Sequence, residues 1–170
     1  MTGIVRDLYL HMEWADAAVW SAVAAAPGAL ADPRLREVLA HLHVAQRGFL
    51  RAWRGEPRDA PYPPLASLPE IASWARGGYG EALAFVDRLS DEEAGRPLTL
   101  PWASMVEKRL GRPPAPTTLY DTVLQVPLHS LYHRGQVNAR LRELGGTPPT
   151  VDYIAWIWLG RPPAQWPAMP

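Results

Sequence analysis

Clusters of proline and glycine cut this chain into four long stretches, and each stretch carries helical character. In the first, from about Gly3 to Ala26, Leu8, Met12, Ala15, Val19 and Val23 form one apolar stripe at spacings of three and four, and Pro27-Gly28 ends it. The second opens at Asp32-Pro33, a capping residue followed by a proline in the first turn, and closes near Arg54-Gly55. The third starts near Ser67. Ser67 and Glu70 have capping-box spacing, and Pro69 fits the first turn. Its Gly77-Gly78 pair weakens the helix locally and marks close packing. The fourth starts near Thr117 or Thr118, with Thr118 and Asp121 spaced as a capping box, and runs to Leu144 before Gly145-Gly146 and Pro148-Pro149. Pro127 lies inside it. A proline there cannot donate to the carbonyl of Val123 and should kink or open the helix.

This punctuation predicts an all-α four-helix bundle, up and down or with one crossover. Two connections are long and rich in proline, Glu56 to Ala66 and Arg96 to Pro116. The second has room for a short hairpin around Leu98-Thr99-Leu100 and Val106. Loops of this length in a compact domain are usually functional or disordered. Past Thr150, Asp152 reads as the cap of a short last helix whose aromatics pack on the bundle; the alternative is a partner surface.

Composition narrows the chemistry. Lys plus Arg and Asp plus Glu are 17 each, which removes a whole-protein electrostatic argument for binding nucleic acid or an anionic membrane. There is no cysteine, so disulfides, thiolate zinc sites and cysteine nucleophiles are excluded, and any thiol chemistry must come from a substrate or cosubstrate. The first residues lack the pattern of a signal peptide, and no apolar run approaches the ~18 residues of a bilayer span. The cytoplasm is the expected compartment.

The segment His129-Ser-Leu-Tyr-His133-Arg-Gly-Gln136 carries the functional signal. Histidines four apart on a helix stand one above the other on one face, and such a pair can hold one metal ion. His129 and His133 share a face with Thr122, Gln125, Gln136 and Arg140, while Leu124, Leu128, Leu131, Gly135 and Ala139 lie nearly opposite. That pattern fits an outer wetted face and fits equally a polar cleft between helices.

A catalytic zinc usually takes three protein ligands and keeps a position open. His41 and His43 are two apart on the second helix and point about 200° apart, so one ion cannot take both. His43 shares its direction with Arg36, Arg47 and Arg54, which reads as a solvated face. His41 shares its direction with Ala45, Gly48 and Ala52, small residues that let a ligand or metal come close. The wheel therefore favours His41. His11, at the rim of the first stripe, reads as a boundary histidine hydrogen-bonded to a neighbour.

These residues resemble the DinB/YfiT-like family of metal-binding four-helix bundles. The resemblance rests on the His129–Gln136 segment and the following Leu141-Arg-Glu-Leu-Gly-Gly146, proline pair and Asp152. It also rests on His41-Leu-His-Val-Ala-Gln-Arg-Gly-Phe-Leu50 and on Trp14-Ala15-Asp16, similar to the family's Trp-Ala-Asn. It implies one such domain over residues 1–170, with a divalent metal ion, zinc or nickel, held by His41, His129 and His133. Some relatives resemble transferases or isomerases that use a low-molecular-weight thiol. The expected function is accordingly a metal-dependent enzyme, a thiol transferase, acting on a small-molecule substrate. A metal-dependent hydrolase and a non-catalytic metal-binding or dimerisation module are the alternatives. A homodimer is expected. Gln136, Gln125 and Tyr132 are candidate orienting groups, no catalytic residue is assigned, Arg134 reads as half of an ion pair, and Gln46 stands where many relatives carry an acid.

Overall fold

The computed structural model describes residues 2–57 and 61–169. Four long helices dominate: α1 (Thr2–Ala25), α2 (Pro33–Arg54), α3 (Leu68–Arg88) and α6 (Leu119–Glu143). Between and after them lie α4 (Asp91–Ala94), α5 (Ala103–Leu110) and α7 (Tyr153–Trp158). Among the described residues there is no strand, and no helix is long and apolar enough to cross a membrane.

The local signals act as the sequence predicts. The Asp32 side chain accepts from the Leu35 N–H. Ser67–Glu70 and Thr118–Asp121 both form reciprocal capping boxes, each satisfying backbone donors that a helix start leaves without partners. At the end of α6, Gly145 adopts a left-handed conformation (φ 77°), and the Gly146 N–H bonds back to the Leu141 carbonyl. A Cβ on Gly146 would stand 2.9 Å from that of Ala26, so this position needs glycine for a second reason. Asp152 holds the cap position of α7, but its side chain makes no capping bond.

The interior divides into two apolar clusters. One gathers Trp20, Leu35, Leu39, Ile71 and Leu141, and the other gathers Met12, Phe49, Trp53, Val86 and Val123. α1 and α6 run from the second cluster to the first, and α2 and α3 run the other way. The bundle is therefore up-down-down-up, with α1 and α2 each packed against both α3 and α6. The connection from Gly55 to Ser67 must return the length of the bundle. α2 has 22 residues and is about 33 Å long, while a 13-residue span reaches about 43 Å only when nearly extended. Prolines, which hold φ in an extended range, suit that requirement.

The hairpin expected near Leu98–Val106 does not form. Only Pro97 and Thr118 make an isolated bridge, and residues 103–110 are helical as α5. Ala, Met, Glu, Lys, Arg and Leu there are good helix formers, and Gly111 in a left-handed conformation ends the helix.

A buried polar layer separates the two clusters, and every long helix contributes to it. Asp16 of α1 accepts from Arg134 of α6 at 2.7 Å, from Gln46 of α2 at 2.9 Å and from the hydroxyl of Tyr79 of α3. Gln46 also donates to Ser130. Asp16 and Arg134 are each 2 % exposed, so Arg134 is the structural half of an ion pair, as expected. Such a layer loses apolar burial but favours a single register for the helices, the one that brings Asp16 within reach of Arg134, Gln46 and Tyr79. The expected close packing at the glycine pair is also found, since a Cβ on Gly78 would stand 2.6 Å from Nε of Arg47.

Pro127 does leave the Val123 carbonyl without its helical donor. The hydroxyl of Tyr9, itself buried, reaches across from α1 and donates to that oxygen at 3.0 Å. α6 continues through the proline without a break.

Candidate metal centre

α2 and α6 lie side by side and antiparallel, and they bring His41, His129 and His133 together at the level of the polar layer. One ring nitrogen from each lies within 4.8 Å of the other two. The ring centroids are 4.4 Å apart for His129 and His133, 4.6 Å for His41 and His133, and 5.7 Å for His41 and His129. Among the described residues no further histidine or carboxylate joins the group.

The nitrogens fit a metal on three counts. Nε2 of His129 and Nε2 of His133 are 3.1 Å apart. Two imidazoles on one tetrahedral ion at ~2.05 Å hold their nitrogens about 3.3 Å apart, so little movement is needed. Second, Nδ1–H of His133 donates to Oε1 of Gln136 at 2.8 Å, which fixes the tautomer and leaves the Nε2 lone pair facing the group. Third, the rings of His129 and His41 are held neutral. Partial burial, then His133 and His41, push His129 down to about 4. Loss of water around the ring, then His133, lowers His41. Neutral imidazole is the ligand form.

His41 sits at the exposed rim, His129 is half-buried and His133 is buried. His41 and His129 open onto a cleft of about 740 Å³ between α2, α6 and α5. Its floor is the small-residue face of α2, with His41, Ala45, Gly48 and Ala52 in a row, as the sequence spacing suggested. Phe49, Tyr62, Trp102, Met105 and Val106 make its walls. The histidine side of α6 is thus a cleft wall, and the supposed apolar side of that helix is the outer one. Leu128 and Leu131 are 60 % and 53 % exposed, whereas Ser130, Arg134 and Val137 are buried.

One sequence expectation is corrected. His43 does not lie on a solvated face; it is 1 % exposed. Its Nε2 accepts from the indole N–H of Trp20 at 3.0 Å, and its Nδ1–H donates to Gln46 at 2.8 Å. Burial, the leading effect, lowers its pKa, consistent with that neutral tautomer. The wheel misled because Arg47, which shares the face, is itself folded over α3, bonded to Glu81 and the Trp74 carbonyl. Gln46 likewise serves the polar layer and makes no recorded bond to His41.

The remaining candidates separate. His11 is a buried boundary histidine whose Nε2–H donates to the Val151 carbonyl at 2.9 Å, tying the last segment to α1. Gln136 orients His133, and Gln125 lines the cleft. Tyr132 is 65 % exposed and meets the His133 ring edge-on. Sequence reasoning missed the contribution of α5 to the cleft. Its only signal was a helix-forming run between prolines, with no apolar stripe broad enough to announce burial.

Comparison with known proteins follows the same lines. A sequence model of the DinB superfamily matches residues 11–137, about three quarters of the chain, and takes in all three histidines. No curated protein and no solved structure matches.

Proposed function

We propose that this chain, which belongs to the DinB superfamily, is a metal-dependent transferase that uses a low-molecular-weight thiol, with His41, His129 and His133 as ligands of one divalent ion, zinc or nickel. The observation that carries this reading is the opening of the triad onto the cleft, since His41 and His129 are both cluster members and cleft walls. A purely structural ion would be closed by four protein ligands, and three favour a position left for an incoming molecule. When bound, the ion would supply Lewis-acid polarisation and would favour the thiolate over the thiol.

The chain's own residues do the rest. Gln136 holds the His133 ring in the ligand tautomer. Phe49 and Trp102, packed edge to face at 5.0 Å, make a dry wall. Gln125, one turn before His129, offers a polar group inside the cleft to orient a bound molecule. The missing cysteine is consistent with a thiol that arrives from solution. The homodimer expected from sequence is part of this reading, supported by the exposed Leu128, Leu131 and Trp158; sedimentation as a monomer at high concentration would remove it.

The test is turnover by metal-loaded protein with a panel of low-molecular-weight thiols and electrophiles, followed as thiol consumption. The reading predicts consumption above that of free metal, lost in His129→Ala. Turnover of esters or amides without thiol would replace it with a hydrolase, and no turnover above free metal would leave a binding module.

A further inference from the structure

α5 is an anomaly in the bundle. It is a full two turns long, yet none of its residues is buried. Met105 and Val106 face the cleft, at 57 % and 39 % exposure, rather than a core. Its anchor is Trp102 at its start, half-buried against Phe49. A helix that directs apolar residues over an apolar cleft is suited to cover a bound apolar body.

Among the described residues that line the cleft, the charges are unbalanced: Arg51 and Arg109 face the single carboxylate of Glu56. Arg51 is committed locally, 3.8 Å from Glu56 and stacked over the Tyr62 ring at 4.1 Å. Glu56 is shared further with Arg54. Arg109, on the last turn of α5, lines the same cleft and has no carboxylate partner among the described residues. Three neutral imidazoles would add no negative charge to offset an ion.

Resting on the cleft as the substrate site proposed above, we infer that it accepts a small monocarboxylate with an apolar or aromatic body. The body lies on the Ala45–Gly48 floor under Met105, Val106 and Trp102, and the carboxylate is held by Arg109. A cation of similar shape is disfavoured by the same charges.

The experiment is calorimetry with phenylbutyrate, phenylbutanol and phenylbutylamine as probes. It uses metal-stripped wild type, Arg109→Ala and Arg112→Ala, which alters a nearby basic residue outside the cleft lining. Wild type and Arg112→Ala are expected to bind the acid about fivefold more tightly than the alcohol, with the amine weakest, and added salt should shrink the difference. Arg109→Ala should bind acid and alcohol alike. Equal binding of acid and alcohol by wild type, no binding of any probe, or a preference that survives Arg109→Ala would overturn the inference. Because the metal is absent throughout, a failed triad leaves this result intact, and a failure here leaves the triad intact. Arg109 is exposed, so its loss should not disturb folding, and matching circular dichroism spectra check that.

Discussion

Tyr9→Phe removes one hydroxyl from a buried site and changes almost no volume. In the folded protein that hydroxyl is the donor to the Val123 carbonyl, which Pro127 deprives of its helical partner. Val123 is fully buried, so water cannot take over. An unsatisfied buried carbonyl costs about 1–3 kcal/mol, and the melting temperature should fall by roughly 4–8 °C for a 2 kcal/mol loss in a chain of this size. The decisive comparison is the same substitution in a Pro127→Ala background. Alanine restores an N–H at position 127 that can reach Val123, so Tyr9→Phe should then cost only about 0.5–1 kcal/mol. Urea unfolding of the four proteins gives the coupling energy directly. Equal costs in the two backgrounds would refute the idea that Tyr9 substitutes for the lost helical bond.

Three other outcomes follow from the same geometry. Asp16→Ala leaves the buried Arg134 cation unpaired and should cost about 3–5 kcal/mol in urea unfolding, while replacing both partners with apolar residues should cost much less. Gly48→Ala should stabilise the protein by about 0.5–1 kcal/mol, because an added Cβ meets only the Tyr62 hydroxyl at 3.5 Å and Trp102 at 3.9 Å; a loss of stability would contradict the open floor of the cleft. The metal-free protein should lose stability as pH falls. His129, His41, His43 and His11 all lie below 6.5 when folded, so between about 6.5 and 4 the unfolded chain binds protons that the native state refuses. A urea midpoint constant across that window would contradict the neutral, ligand-ready histidines.

The fold was largely legible because its boundaries are written in short-range chemistry. Asp32-Pro33, Ser67/Glu70, Thr118/Asp121 and Gly145-Gly146 each satisfy or end a helix through groups a few residues apart. His41 was legible for a related reason, since the small residues beside it lie at helical spacing. His43 was not, because its burial depends on Trp20 from α1 and on Arg47 reaching over α3, and both contacts are distant in sequence. The same holds for α6. Its exposed leucines and buried Ser130 and Arg134 reverse the usual pattern because Asp16 and Gln46 await them inside the bundle. The share of α5 in the cleft escaped notice since that helix joins it through position and not through a buried stripe.

The account turns on three imidazoles sharing one ion, and elemental analysis of untagged protein addresses that most directly. Wild type is expected to carry about one divalent ion per chain after extensive dialysis, and His41→Ala, a change at the exposed rim that keeps a good helix former, should fall to background. Equal metal content in the two proteins would contradict the shared site.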